Sequence, residues 1–298
     1  MTKLADVARP EGGALLVVVG PTASGKTELA IQLAERLDGE VIGADSVQIY
    51  RGFDIGSGKP TAEERARAPH HLIDVADPME AFDAQRFAEM ADQAIAGVQA
   101  RGKVPIVCGG TFLWVRALVL GLAPAPPADP EIRARHTAYA EAEGRAALHA
   151  KLAAVDPESA ARLAPNDLLR VSRSLEIFEL TGKPQSAWFA EHGFRTSRHE
   201  AKLIGVSRER EDIDRRIEAR TAKWLSVGWV DEVRSLVEKG FGEARAMGSV
   251  GYKQVREHVA GEIAEGDLHG AVVRATRVFV RRQRTWLRDE AVTWVEDG

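Results

Sequence analysis

Short unbroken apolar runs alternate with stretches of helical spacing over the first part of the chain. Leu15 to Val19 (LLVVV) is a Val-rich run with no polar partner face, the pattern of a strand buried on both sides of a parallel sheet. From Thr27 to Leu37 the apolar positions Leu29, Ala30, Leu33, Ala34 and Leu37 fall at helical intervals, and Gly39 predicts the stop. Val41 to Ala44 predicts a second strand ending at Asp45, and Leu72 to Val75 a third. Phe82 to Ala100 predicts a helix closed by Gly102, followed by a strand at Val104 to Cys108 that runs into Gly109-Gly110-Thr111. Strands and helices in this alternation make a doubly wound α/β core.

The pattern then changes. Ala123 to Pro130 (APAPPADP) is a stiff linker, and about 60 residues after it carry helical spacing with few strand formers. Asp129-Pro130 and Asp156-Pro157 are helix starts, an N-cap followed by a first-turn proline. Asn166-Asp167 precedes a helix that runs to Thr181 and stops at Gly182 and Pro184. Residues 121–200 are therefore expected to form a helical insertion between two core segments, 1–120 and 201–298. Leu203 to Val206 returns to the sheet as a strand, and the chain from Asp212 onward reads as mostly helical, with no internal repeat and no low-complexity tail.

Composition narrows the function classes. The 298 residues are 45% hydrophobic and 28% charged, enough to bury a real core. With a net charge of -4, no global field draws the chain to nucleic acid or membrane, so any nucleic-acid surface must be a local patch. The single cysteine, Cys108, excludes an intramolecular disulfide framework and a cysteine-based zinc site, and its place in VPIVC marks it as a buried structural thiol. No apolar run approaches the roughly 20 residues of a membrane span, and no leader-like stretch opens the chain, so a soluble cytoplasmic protein is expected.

The chemistry starts at GPTASGKT. Gly20, Pro21, Thr22, Ala23, Ser24, Gly25, Lys26 and Thr27 match the phosphate-binding loop also found in ATP-binding proteins, with the strand before it and the helix after it that the pattern requires. The glycines turn backbone N–H groups toward an anion, the helix adds the positive end of its dipole, Lys26 brings a cation, and the Thr27 hydroxyl is suited to Mg2+. The loop reads phosphate and nothing else of its ligand. An ordinary ATPase would place a magnesium-binding Asp at a strand end, whereas VPIVC ends in Gly-Gly-Thr. Instead Asp45 closes the second strand. In an open α/β sheet Gly20, Asp45 and Thr111 then share the carboxyl edge, where ligands collect. Asp45 in that position is a general base, a magnesium ligand or a helix cap.

Arg274, Arg277, Arg281, Arg284 and Arg288 step by three and four residues, with Arg282 beside them and no acid from Ala271 to Arg288. Solvated surface helices usually interleave acids, so this stripe suits RNA phosphates or a diphosphate. In the insertion, Arg170 and Arg173 share a face opposite Leu168, Val171, Leu175 and Phe178. Trp188, Phe189 and Phe194 offer stacking faces, although core packing is the commoner role. His70-His71 lacks a third ligand at useful spacing and reads as structural.

GPTASGKT, ADSVQIYRGFDIGSGKP, APHHLID, GGTFLWVRAL, NDLLRVSRSLEIFELTGKPQS, VGYKQ and RRQRTWLR, in this order from residue 20 to 288, resemble the tRNA dimethylallyltransferase (isopentenyltransferase) family. The resemblance implies an α/β, P-loop NTPase-like parallel sheet core with a helical insertion that grips the anticodon arm of tRNA. It implies transfer of a dimethylallyl group from dimethylallyl diphosphate to N6 of the adenosine next to the anticodon, with Mg2+. It makes Asp45 the base and puts the diphosphate in residues 20–27, with Thr22 at the leaving oxygen or diphosphate and Arg216 and Arg220 (RRIEAR) nearby. Asp45, Ser46, Val47, Gln48, Thr111, Arg133, Leu169, Arg170, Val171, Ser172 and Arg173 match family positions that touch tRNA, and Arg277 and Arg281 join them from the basic stripe. A monomer is expected. Ser57-Gly58 stands where Thr-Ala is common, Trp114 replaces a usual Tyr and Val278 a usual polar residue, departures that bear on the shape of the pocket and of the last helix.

Three other readings share parts of this pattern. An ATP-dependent small-molecule kinase shares the loop but has no need of the insertion. A prenyltransferase acting on free adenine nucleotides shares the loop and Asp45 but needs neither insertion nor arginine stripe. A non-catalytic RNA-binding protein has no need of a complete phosphate loop beside a carboxylate.

Overall fold

The run at β1 (Leu15–Val19) is buried on both faces. Leu15, Val17 and Val19 join one apolar layer, and Leu16 and Val18 join the other, as the period-two geometry of a strand requires. The computed structural model describes residues 2–193 and 197–295. After β1 come α1 (Lys26–Leu37), β2 (Gly39–Gly43), α2 (Ala62–Arg67), β3 (His70–His71), α3 (Ala84–Ala100), β4 (Val104–Gly109) and α4 (Phe112–Leu120). Next are α5 (Pro130–Ala142), α6 (Arg145–Val155), α7 (Pro157–Arg162), α8 (Leu168–Thr181) and α9 (Gln185–His192). The chain ends through β5 (Ala201–Val206), α10 (Arg210–Ser226), α11 (Trp229–Glu238), α12 (Tyr252–Val259), α13 (Glu265–Leu287) and β6 (Val292–Val295).

Among the described residues the strands form one sheet in the order β3-β2-β4-β1-β5-β6, with every neighbouring pair parallel. All strands therefore end at the same edge, and β2, β4, β1 and β5 deliver Asp45, Thr111, Gly20 and Arg208 to it from adjacent positions. This is the parallel α/β core that the apolar runs predict. Three local expectations differ. The third strand is His70–His71, because Leu72 and Asp74 take positive φ (59° and 58°) that breaks any extension toward Val75. Helix α1 stops at Asp38, itself at φ 53°, so Gly39 begins β2 instead of closing the helix. Val292–Val295 forms an edge strand beside β5, in a stretch that the pattern reads as mostly helical.

The chain divides into two compact units, residues 1–119 with 199–298 and residues 120–198. The second has its own small core of Ala140, Leu148, Leu152, Ala160, Val171 and Leu175. Helices α5, α7 and α8 begin where the caps predict. Asp129 accepts from Glu131 and Ile132 N–H ahead of Pro130, Asp156 from Ser159 N–H ahead of Pro157, and Asp167 from Arg170 N–H. Gly182 closes α8 in the left-handed conformation. Trp188 and Phe189 are half-buried, each with a cation near its ring (Lys183 and Arg162), while Phe194 lies outside the described residues. Trp114, where the resemblance leads one to expect Tyr, is buried and stacks on Phe87 with ring centroids 4.7 Å apart.

Candidate active site

The phosphate loop connects β1 to α1. Ala23 and Gly25 both have positive φ (68° and 96°), the winding that turns successive N–H groups into one concavity. The Ser24 hydroxyl is buried there without a hydrogen-bond partner, a polar atom that an anion or its water would satisfy. Two side chains from distant sequence hold the loop. Arg208, just after β5, donates Nε–H to the Ser24 carbonyl at 2.5 Å and Nη1–H to Asp212 at 2.9 Å. Gln283, on α13, accepts the Thr22 N–H at 2.8 Å. Neither signals its role in local sequence, because each acts across more than 180 residues.

Beside the loop, Asp45 forms a turn. Its Oδ1 accepts Val47 N–H at 2.9 Å and Gln48 N–H at 3.3 Å, while Oδ2 accepts no hydrogen bond among the described residues. The turn is fastened to β4: Thr111 N–H donates to the Ala44 carbonyl, and Ser46 N–H donates to Thr111 Oγ1 at 3.1 Å. The Gln48 amide donates to the Ser57 and Gly58 carbonyls at 3.1 and 3.0 Å, so its donors are committed to the loop that follows. The cap reading and a chemical role for Asp45 thus coexist, one on each carboxylate oxygen.

Two cations share the field of Asp45. Burial lowers the pKa of Lys26, with the Asp45 carboxylate opposing and Arg220 adding to the fall. Burial likewise pushes Arg220 down to about 10, again opposed by Asp45. The Arg220 guanidinium also lies over the Trp224 ring at 4.5 Å. Cys108 is pushed up to about 11 by burial and keeps its thiol, as its apolar setting predicts. Arg216 differs from Arg220: it is exposed and donates to Asp212 at 3.1 Å, the carboxylate that also accepts from Arg208.

For Mg2+, the donors present are hard oxygens: the Thr27 hydroxyl at the start of α1, which makes no hydrogen bond among the described residues, and Asp45 Oδ2. Such a set fits a small divalent ion that takes most of its ligands from substrate phosphate and water. His70 and His71 are instead engaged with the Ala68 carbonyl and with Glu40.

Four arginines of the α13 stripe, Arg274, Arg277, Arg281 and Arg284, line a cavity of about 400 Å³ together with Arg210 of α10. Arg277 is paired with Asp214 and Glu218. In the second unit Arg133 makes a bidentate pair with Glu176, both contacts 3.0 Å, and Arg173 joins the same carboxylate at 2.6 Å. Leu169 and Arg170 are exposed. In the same segment Val171 is 1% exposed in the core, and Ser172 is 5% exposed and hydrogen-bonded to His136.

The chain matches the IPP transferase family model over residues 48–290. It is 71% identical over 289 residues to a tRNA dimethylallyltransferase of Sorangium cellulosum, covering 97% of this chain and 92% of that one. To a tRNA dimethylallyltransferase of Anaeromyxobacter dehalogenans it is 50% identical over 94% of both chains. Among solved structures, the tRNA isopentenylpyrophosphate transferase of Bacillus halodurans superposes with a TM-score of 0.70 at 37% identity, over 95% of this chain and 90% of that one. A eukaryotic dimethylallyltransferase acting on tRNA gives 0.78 at 26% identity, over 95% and 73%.

Proposed function

The chain belongs to the tRNA dimethylallyltransferase family and is an enzyme that prenylates tRNA, and we propose that its phosphate loop holds the diphosphate of dimethylallyl diphosphate while Asp45 deprotonates the acceptor amine. One observation carries this reading: at a single sheet edge, a carboxylate with an uncommitted oxygen stands in the field of Lys26 and Arg220 beside a phosphate loop.

An exocyclic adenine amine is a poor nucleophile because its lone pair is delocalised into the ring. As the bond from N6 to the allylic carbon forms and the bond from that carbon to the diphosphate oxygen breaks, the N6 proton passes to Asp45 Oδ2 and the electron pair leaves with the oxygen. Charge grows on the leaving diphosphate, where Lys26, Arg220 and loop N–H groups would offset it. Thr22 sits in that loop beside the leaving group. The Thr27 hydroxyl would hold Mg2+, which would supply further neutralisation of the diphosphate when bound. Transfer is direct, with no covalent enzyme intermediate.

RNA phosphates fit the α13 stripe through Arg281 and Arg277, and the second unit presents Arg133, Leu169, Arg170 and Arg173 to the anticodon arm. Ser46 and Thr111 hold the acceptor-side turn. No helix among the described residues is long and apolar enough to cross a membrane, a tRNA substrate supports a cytoplasmic reaction, and one chain supplies every group named, which supports a monomer. The test incubates the protein and Mg2+ with unmodified tRNA and either dimethylallyl diphosphate or ATP, then weighs the digested nucleosides. A prenylated adenosine in the first arm alone is the expected result. Modification of free AMP but not of tRNA, or ATP consumption with no prenylated nucleoside, overturns it.

A further inference from the structure

Gln283 is 4% exposed, and both ends of its amide are used. Oε1 accepts Thr22 N–H at 2.8 Å, and Nε2 donates to the Gly110 carbonyl at 3.0 Å. The orientation of the amide is forced, because Thr22 N–H can only donate and a carbonyl can only accept. Gly110 leaves room for it: a Cβ there would lie 2.7 Å from Gln283 Nε2, and 3.6 and 3.7 Å from the Gly20 carbonyl and Lys26 Cε. One turn along α13, Trp286 stacks on Phe112 of α4 with centroids 4.1 Å apart and planes 5° apart, so the helix that carries Gln283 is itself fixed against the β4–α4 corner.

These contacts form a continuous path. Thr22 is joined to Gln283, Gln283 to Gly110, the adjoining Thr111 to Ser46, and Ser46 is bonded to Asp45. We propose that Gln283 is a positioning residue of the reaction: it sets the spacing between the phosphate loop and the Gly110–Thr111 edge, and so between the leaving diphosphate and the base. This rests on the roles given above to the loop and to Asp45. It also takes the Thr22 amide out of the set of loop N–H groups that meet the anion. Misplacement of reacting groups by an ångström is costly to rate even when the chemistry is intact, and a buried N–H left unpaired reorganises the loop around it.

The test measures inorganic pyrophosphate binding, with Mg2+, to wild-type protein, Gln283→Met and Gln283→Glu. In Gln283→Met, which keeps the volume and loses both hydrogen bonds, pyrophosphate affinity and kcat are each expected to fall about tenfold, with a single cooperative melting transition, binding stoichiometry and RNA affinity retained. Gln283→Glu carries the sharper signature. As a carboxylate it repels both the Gly110 carbonyl and the anion. When protonated it donates and accepts as the amide does, so its pyrophosphate affinity relative to wild type recovers as pH falls. A third measurement needs no variant: in ligand-free wild-type protein the Thr22 amide exchanges slowly with solvent. Rapid Thr22 exchange, unchanged pyrophosphate affinity in Gln283→Met, or a Gln283→Glu deficit that does not vary with pH overturns the inference. If Gln283→Met loses pyrophosphate while wild-type protein fails to prenylate tRNA, the loop clamp stands and the prenyl-transfer reading alone falls.

Discussion

The Asp45 carboxylate accepts the Val47 N–H at 2.9 Å through Oδ1 and keeps Oδ2 uncommitted among the described residues, so the turn and the proposed proton transfer fall on different oxygens of one group. Asp45→Asn preserves the turn and removes the base. Its kcat should fall by about 10²–10⁴, with pyrophosphate affinity within severalfold of wild type. Asp45→Ala should lose the same rate and in addition loosen residues 45–48, seen as faster amide exchange at Val47. An Asn variant that turns over normally assigns the base elsewhere.

Lys26 and Arg220 both stand below their ordinary pKa values because burial disfavours their charged forms, Arg220 at about 10. Cations that lose protons lose their pull on the anion. Pyrophosphate affinity, measured by calorimetry at constant ionic strength, should therefore decline as pH rises from 9 toward about 10. Arg220→Ala should weaken binding about tenfold and shrink the alkaline fall. Affinity that is flat across this range in wild-type protein contradicts the Arg220 assignment.

Much of this site was legible in the chain because its parts are local. The loop of residues 20–27, the strand-end Asp45, Thr111 after Gly-Gly, and the caps at Asp129, Asp156 and Asp167 each announce themselves by residue type at a fixed offset from an apolar run. Gln283 and Arg208 were not legible. Their partners lie 261 and 184 residues away, and side-chain bonds to backbone atoms leave no periodic trace. Edge strand β6 was hidden for a related reason: four residues after a long helix carry too little pattern, and their pairing with β5 comes from tertiary contact. Burial within the block 169–173 was not legible either: helical rotation turns the adjacent Val171 and Ser172 inward and leaves Leu169 and Arg170 exposed.

The α13 stripe separates arginines by how much of their charge is already spent. Arg277 faces Asp214 and Glu218 at 3.2 and 2.8 Å, whereas Arg281 is exposed and has no acidic partner among the described residues. Arg281→Ala should weaken tRNA binding and reduce the slope of log K against log salt by about 0.7–0.9, one phosphate contact. Arg277→Ala should change the slope less. Equal slopes for wild type and Arg281→Ala would remove this face from the RNA interface.

Acid should unfold the second unit by a route that Glu176 sets. Its carboxylate is fully buried, and burial alone would raise its pKa. Hydrogen bonds from Arg133 and Arg173, with the Asp129 N–H, outweigh burial and hold it below its ordinary value of 4.5. Asp156 is shifted the same way: burial opposes, and bonds from Ser159 and Ser186 prevail. A depressed folded pKa means the unfolded chain binds the proton first. The stabilisation is complete above 4.5 and is lost as pH falls through the lower folded value. Glu176→Gln keeps the acceptor for Asp129 N–H but gives up two charge-assisted pairs, at a cost of about 1–3 kcal/mol near neutral pH. Because that variant has already lost what acid removes, its stability should fall less steeply below 4.5. Amide exchange of α5 and α8 in the full chain, followed from pH 7 to 3, reads both effects. Parallel pH profiles for wild type and Glu176→Gln would show that Glu176 titrates alike in the folded and unfolded chain, and the acid sensitivity would then belong to Asp156 and Glu179, whose carboxyl is also held below its ordinary value.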